Sequence, residues 1–253
     1  MALLPLVLLL SGCLQYDLTL RFDHRTHGQI SQTFRLDERG AALAQSSIDP
    51  WVEELKPRVR QLGGHLNRSE PGTVDLVVPF STGRDLVSRF DQLFADTSFD
   101  NSDHSLSTID LNPDQAESYL TLPNLGTVPF RLEVNPRNWG LASYTHLTYD
   151  IDLRDLPPSP SVQEEDSNQR DWAALRFGLQ VPWGISQVLP QSTVPQSMLP
   201  NGAYWRLKSG ELNHIDVAFW LPNAVGLGTV GIVIAVLLGY FLRYRVLKRP
   251  RLS

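Results

Sequence analysis

Few side chains in this sequence have the types and spacing that metal binding or catalysis requires. His24 and His27 could offer two imidazoles to a transition metal, with Asp23 beside them. These residues separate two stretches of alternating apolar and polar residues, a pattern that predicts the turn of a hairpin. We therefore expect a solvated hairpin tip here, and we expect the protein to hold no metal and no other cofactor.

Carboxylates and serines also lack the settings of familiar sites. Segment 100–104 is rich in carboxylates but has neither the glycine nor the distal glutamate of a calcium loop. Glu53 and Glu54 are consecutive on a predicted helix, so they do not form a facing acid–base pair. Their negative charges are expected to stabilise the first turn of that helix. No serine lies in a G-x-S-x-G motif. The sequence thus predicts no catalytic residue and no enzyme.

Cys13 is the single cysteine, and the residues before it indicate chemistry on its thiol. The apolar run 1–10 is shorter than the roughly 20 residues that a membrane-spanning helix needs. Its continuation, Leu10, Ser11, Gly12 and Cys13, resembles the lipobox of bacterial lipoproteins, in which a peptidase cuts before an acylated cysteine. The resemblance implies that residues 1–12 are a signal peptide and that Cys13 is lipidated; a buried lone cysteine is the alternative.

Residues 224–242 form a stretch of nineteen residues without a charge. At 1.5 Å per residue the stretch spans about 28 Å, the thickness of a hydrocarbon core. Segment 222–243 is therefore predicted to be a transmembrane helix rather than a buried core helix. Aromatic rings that favour the headgroup layer lie near its two ends. These are Trp220, Tyr240 and Tyr244.

Basic residues without an acid among them follow this stretch: Arg243, Arg245, Lys248, Arg249 and Arg251. The positive-inside rule places such a tail, residues 244–253, in the cytoplasm. The domain formed by residues 13–221 would then be extracytoplasmic, with the lipid on Cys13 holding the N-terminus at the outer face. The expected location is the cell membrane or a thylakoid-type membrane.

The predicted span contains two patterns of small residues. Gly226, Gly228 and Gly231 match a G-x-G-x-x-G fingerprint, but the chain has no later acid for the ribose of a dinucleotide. Gly231, Ala235 and Gly239 recur every four residues and form a face on which another transmembrane helix could pack. Ordinary use of small residues in membrane helices is the alternative.

The charge of the chain restricts its partners. It has 27 acidic and 22 basic residues, and five of the basic ones lie in the tail, so the remainder carries about ten more acids than bases. This excess argues against nucleic acid as a partner. The excess of negative charge would also be repelled by anionic lipid headgroups. Contact with membrane lipids should therefore be apolar or made through local hydrogen-bond donors.

The first half of the domain alternates between hairpins and helices. Hairpins are predicted over 16–36 and 65–79. An amphipathic helix follows each one; the first begins at Asp49-Pro50, and the second is capped by Thr82 and Asp85. Their apolar faces contain Val52, Leu55, Val59 and Leu62, and Leu86, Phe90, Leu93 and Phe94, respectively.

The second half is predicted to be mostly an antiparallel meander. Its strands are 105–111, 118–122, 128–134 and 144–153, the last two joined by a turn at Asn135-Pro136. Segment 155–171, rich in Pro, Ser and acids, is expected to be an exposed loop. Trp183, Ile185, Val188 and Leu189 could cover the core or touch the membrane, and the core is favoured. With a final hairpin turning at 209–213, the predicted class is α+β, with a mostly antiparallel sheet and two amphipathic helices.

The final block runs directly into the apolar stretch and contains Trp205, Leu207, Gly210, Asn213, Ile215, Phe219, Trp220 and Pro222. With the lipobox and the span, it resembles a family of uncharacterised bacterial and plastid membrane proteins related to the LppM-like lipoproteins. The resemblance implies an extracytoplasmic α+β domain held by a lipid and one helix. Glycolipids or other amphiphiles are the ligands proposed for relatives.

Two functions fit these features. The first is a lipoprotein that binds or transfers a lipid or other amphiphile in an apolar cavity enclosed by its sheet and helices. The second is a non-enzymatic scaffold or assembly factor for integral membrane proteins. The resemblance favours the first. Because Cys13 precedes the first strand and Trp220 ends the last, both anchors are expected close together, at the membrane side of one sheet.

Overall fold

Two sheets and three α-helices make up the part of the chain that a computed structural model describes, residues 14–36, 38–70, 72–94, 118–122, 126–156 and 173–246. In chain order the strands are β1 (Leu14–His24), β2 (His27–Leu36), β3 (His65–Glu70), β4 (Thr73–Phe80), β5 (Ser118–Leu122), β6 (Gly126–Asn138), β7 (Ala142–Asp152), β8 (Ala173–Gln180), β9 (Ile185–Val188), β10 (Ser197–Leu199), β11 (Gly202–Leu207) and β12 (Leu212–Pro222). The helices are α1 (Glu38–Gln61), α2 (Gly83–Phe94) and α3 (Ala224–Phe241), with a π-helical turn over Leu242–Val246. The lipobox residues, segment 100–104 and the predicted strand 105–111 lie outside the described residues.

The strands form one seven-stranded and one five-stranded sheet. The order in the first, sheet A, is β10-β11-β8-β1-β2-β4-β3, and in the second, sheet B, β5-β6-β7-β12-β9. All neighbours are antiparallel except β1 and β8, which run parallel and make sheet A mixed. The expectation of mostly antiparallel pairing is confirmed, although the strands divide between two sheets rather than forming one.

The core lies between the two sheets. Alternate residues point inward, as in β7, because successive side chains of a strand face opposite sides. The ring of Tyr149 in sheet B stacks on Phe177 in sheet A, with centroids 4.6 Å apart, and Phe22 contacts Phe219 at 5.3 Å. Burying a large apolar side chain contributes about 1.5–3 kcal/mol, so this layer stabilises the pairing of the sheets.

Helix α2 occupies the position that its capping residues predict. The Oγ1 atom of Thr82 accepts a hydrogen bond from the Asp85 N–H at 3.1 Å, and the Asp85 carboxylate accepts one from the Ser81 N–H at 2.7 Å. The four predicted apolar residues are buried, and Phe90 meets Phe130 of sheet B at 5.1 Å. This packing fixes the first turn of α2 near one end of the sheets.

Helix α1 begins earlier than predicted, at Glu38 rather than at Asp49-Pro50, and continues through Pro57. Residues 38–48 include several alanines together with Leu, Gln and Glu, which are strong helix formers. The cap signal at Asp49-Pro50 was therefore misleading. The predicted face is otherwise correct: Val52, Leu55 and Val59 are buried, and Leu62 is partly buried against the core.

Two predicted turns are wrong. Strands β11 and β12 form no hairpin, because β11 belongs to sheet A and β12 to sheet B, so the chain crosses between sheets at 208–211. The Asn213 side chain fixes this crossing through hydrogen bonds with the backbone N–H and carbonyl of Lys208, at 2.8 and 2.9 Å. Likewise β6 continues through Asn135-Pro136, and its turn to β7 lies at 139–141.

The two ends of the sheets differ. The end that contains the β1–β2 turn, the 139–141 turn and the start of α3 is called the helix end; there the Arg25 N–H donates to the Pro222 carbonyl at 3.1 Å. Leu14 lies at the opposite end, the far end, since it pairs with Leu36 and Ala173. The expectation that both anchors lie close together on one sheet is therefore wrong. Strand β1 belongs to sheet A and begins at the far end, whereas β12 belongs to sheet B and finishes at the helix end.

Candidate functional site

The start of α3 is joined tightly to the turn between β6 and β7. The buried Asn223 donates from its side chain to the Gly140 carbonyl at 2.6 Å and from its backbone to the Leu141 carbonyl at 2.9 Å. Gly140 has a φ of +84°, which favours glycine. A Cβ on Gly226 would overlap the Gly140 carbonyl oxygen. An asparagine directly before an apolar run is an N-cap signal for the start of α3, but the Asn223 side chain makes no capping hydrogen bond, so nothing in the sequence indicated its contact with Gly140.

Large apolar side chains are exposed at this helix end. Trp139 is 72% exposed and Leu141 45% exposed, both in the turn that holds Asn223. Trp183 is 56% exposed in the turn that leaves β8 at the level of the helix end. The core expectation is therefore wrong for Trp183, whereas Ile185 and Val188 do pack against the core. These exposed apolar side chains thus share one end of the sheets, and apolar surface of this kind can contact lipid or protein.

The space between the two sheets opens to the outside at the helix end, and we call this opening the mouth cleft. Its volume is about 300 Å³. Its apolar wall is formed mainly by Phe22, Val134 and Leu221, with Pro136 and Gly83 beside them. Its polar side chains are those of Arg25, Thr26, Thr82, Arg84 and Thr145. Gly83 brings the first turn of α2 against β6, since a Cβ there would lie 2.6 Å from Val134 Cγ1.

A wider cleft continues from the mouth cleft along the outer side of sheet B. It encloses about 640 Å³, shares Arg84 and Val134 with the mouth cleft, and adds Arg137 and Tyr144. Neither lining contains a carboxylate. Within the described residues, Arg84 and Arg137 form no ion pair, and neither does Arg25. Because the domain has an excess of acids, contact with anionic lipid headgroups would need donors that are placed locally. These arginines are such donors.

The mouth cleft contains an unsatisfied buried hydroxyl. Thr145 is 1% exposed, and its Oγ1 has no hydrogen-bond partner among the described residues. A buried polar group without a partner costs about 1–3 kcal/mol, and a bound water, ion or ligand beside it would offset that cost. The sequence alone does not single out Thr145, because it is one of several inward-facing positions on a regular strand.

The first turn of α2 adds a positive potential, because its first N–H groups lack intrahelical partners. Asp85 lies in the same turn. Burial raises the pKa of Asp85, but hydrogen bonds from Arg89 and the Ser81 N–H, with the charge of Arg89, outweigh burial and lower the pKa. The Asp85 carboxylate is thus engaged on Arg89 at 2.8 Å and does not line the mouth cleft.

The predicted interface residues lie at the two ends of the apolar helix. Trp220 contacts Tyr144 at the helix end of sheet B, with ring centroids 5.0 Å apart. Tyr240 and Tyr244 contact each other at 4.5 Å near the other end of α3, and the Arg243 guanidinium is 6.0 Å from the Tyr244 ring. Arg245 belongs to the π-helical turn, while Lys248 and Arg249 lie outside the described residues.

An apolar helix covers most of segment 222–243. Residues Ala224–Tyr244 form one helix long and apolar enough to cross a membrane, with a mean hydropathy of 2.3 and no buried share. Gly231, Ala235 and Gly239 are exposed along it. Packing of a second helix on this face stays a prediction.

The paired histidines lie at the tip of the β1–β2 hairpin. Their rings, of His24 and His27, are 5.7 Å apart, and His27 Nε2 is 3.7 Å from the Asp23 carboxylate. Across the described ranges, no group of three His, Cys, Asp or Glu side chains is placed to hold a metal ion.

A sheet-rich domain followed by one apolar helix of this length is consistent with a membrane-associated protein. The sequence belongs to the family described as Protein of unknown function (DUF3153), which matches residues 18–249. The structure is also similar to the NMR structure of the folded domain of LppM from Mycobacterium tuberculosis, with 13% identity and a TM-score of 0.41 over 85% of this chain and 94% of that chain. No curated protein matches the sequence.

Proposed function

We propose that α3 anchors this protein in a membrane and that the helix end of its domain lies against the bilayer, where it binds or transfers a lipid or another amphiphile without catalysing a reaction. The junction of Asn223 with Gly140 and Leu141 carries the proposal. Because the first turn of α3 is fixed to the 139–141 turn, a helix that spans the bilayer brings this turn to the headgroup layer.

The exposed side chains of the helix end suit that layer. Trp139 and Leu141 would be costly to leave in water but favourable in the interface, where tryptophan concentrates in membrane proteins. Arg25, Arg84 and Arg137 would meet headgroup phosphates, despite the acidity of the domain as a whole. The helix end therefore combines apolar insertion with local positive charge.

The orientation and the lipid anchor belong to the same proposal. The lipobox resemblance supports acylation of Cys13, and the basic residues after α3 support a cytoplasmic tail with an extracytoplasmic domain. In that arrangement the helix end would face the outer leaflet.

A photoreactive residue at position 139 tests the proposal in the full chain reconstituted into liposomes, in a Cys13→Ser background so that α3 alone anchors the protein. Crosslinking to lipid is expected at position 139, and none is expected at Leu212, which is 54% exposed at the far end. The matched control is thus a similarly exposed apolar position about one strand length away.

Equal lipid crosslinking at both positions, or none at position 139, would contradict a membrane-facing helix end. In native membranes, crosslinks from position 139 to integral membrane proteins instead of lipids would favour the assembly-factor function.

A further inference from the structure

We propose that the mouth cleft binds the phosphate group of an anionic phospholipid headgroup taken from the bilayer that α3 crosses. The inference rests on the proposed function, because it requires the helix end to face that bilayer. It goes further by assigning a ligand class and a set of contacting residues to one cleft.

The buried hydroxyl of Thr145 supplies the first argument. Thr145 lines the cleft and is 1% exposed, and its buried Oγ1 has no partner among the described residues. A phosphate oxygen is a strong acceptor, and a hydrogen bond to a charged acceptor is stronger than one between neutral groups. A phosphate close to this hydroxyl would therefore satisfy a buried polar group that is unpaired among the described residues.

Charge supplies the second argument. Arg25 and Arg84 both line the cleft, neither forms an ion pair within the described residues, and no carboxylate shares the lining. The first turn of α2 also lines the cleft, at Gly83 and Arg84, and helix N-termini favour anions. The nearest acid on that turn, Asp85, is engaged by Arg89 and the Ser81 N–H.

Size and position identify the source of the phosphate as a lipid. A volume of about 300 Å³ is at the lower end for ligand pockets, so it suits a headgroup rather than a whole diacyl lipid. The apolar wall of Phe22, Val134 and Leu221 suits the glycerol and the first methylenes. The cleft also adjoins the start of α3, since the Arg25 N–H donates to the Pro222 carbonyl.

Native mass spectrometry of the full chain released from nanodiscs of phosphatidylcholine and phosphatidylglycerol tests the proposal. The wild-type chain should retain phosphatidylglycerol in excess of its share in the bilayer. The double variant Arg25→Gln/Arg84→Gln should lower this enrichment about tenfold, the effect of losing roughly one charge-assisted hydrogen bond. A control with the same change in net charge, Arg35→Gln/Arg60→Gln on exposed positions, should leave the enrichment unchanged.

Thr145→Val separates ligand binding from folding. The substitution removes an unpaired buried hydroxyl at nearly constant volume, so the melting temperature should not fall, yet phosphatidylglycerol enrichment should drop several-fold. A purely structural threonine would change stability without changing lipid selectivity, and that result would overturn the proposal.

Three further outcomes decide the matter. Absence of enrichment in the wild-type chain, or enrichment that survives in both cleft variants, overturns the phosphate site while leaving membrane anchoring intact. If inorganic phosphate raises the melting temperature of the detergent-solubilised chain as much as phosphatidylglycerol does, the assignment of the ligand as a lipid is overturned. Removal of the chain from membranes by alkaline carbonate would instead refute the proposed function itself.

Discussion

At the scale of single residues, the junction between domain and helix depends on small or polar side chains that pack closely. Asn223 donates hydrogen bonds to two carbonyl groups of the 139–141 turn, one from its side chain and one from its backbone, and Gly226 permits the close approach of the Gly140 carbonyl. The glycines of α3 are thus not equivalent: no atom comes within 4 Å of a Cβ built on Gly228.

Gly226→Ala is expected to destabilise the domain by about 1–3 kcal/mol, because the added methyl group forces the helix away from the 139–141 turn. Thermal unfolding of the full chain in nanodiscs measures the loss. The matched control, Gly228→Ala, places the same methyl group in open space and should be close to neutral. Similar effects of the two substitutions would show that the junction does not constrain the helix.

At the scale of elements, the sequence predicts strands and helices better than it predicts their neighbours. Alternation identified β1, β2 and β7 because one face of each strand is buried. It could not show that β11 and β12 belong to different sheets, since both have the same alternating pattern. The mouth cleft was not predictable either, because its residues come from separate strands and the first turn of α2.

The two acids of α2 are expected to change stability in opposite directions. Burial raises the pKa of Asp91, although a hydrogen bond from Ser118 opposes this rise. The protonated carboxyl group therefore contributes stability that is fully present below its ordinary pKa of 3.8 and is lost as the pH rises through the folded-state pKa. Asp91→Asn should therefore unfold at a higher temperature than the wild type at pH 7, and the difference should shrink toward pH 4.

Asp85→Asn is the control of opposite sign. The lowered pKa of Asp85 gives stability that is present above its ordinary value and lost as pH falls, so this variant should be less stable at pH 7. If Asp91→Asn destabilised the protein equally at both pH values, lost packing rather than charge burial would be the cause.

At the scale of the whole molecule, Leu14, which follows the proposed lipidation site, and the start of α3 lie at opposite ends of the described domain. Ten steps along β1 at about 3.3 Å separate the far end from the helix end by roughly 33 Å. With α3 as the sole anchor, the strands can stand away from the bilayer. An acyl chain on Cys13, directly before β1, in the same leaflet requires the domain to lie with β1 along the membrane surface.

Acylation of Cys13 is therefore expected to change the crosslinking pattern. A photoreactive residue at Leu212 should remain without lipid crosslinks in the Cys13→Ser chain and acquire them in the acylated chain, because the far end is then held at the bilayer. Crosslinking at position 139 should occur in both. An unchanged pattern at position 212 would mean either that Cys13 carries no lipid or that its lipid inserts in a different membrane.

The parallel pairing of β1 with β8 also governs when the domain can form. Leu14 pairs with Ala173, so a central strand of sheet A waits for a partner that is synthesised almost 160 residues later. Until then one side of β1 is an open edge, able to pair with other chains. Contacts of such long range slow folding, and α3 is made only after β8, β11 and β12. The growing chain must therefore be kept from aggregating for most of its synthesis, and sheet A closes only shortly before α3 is made.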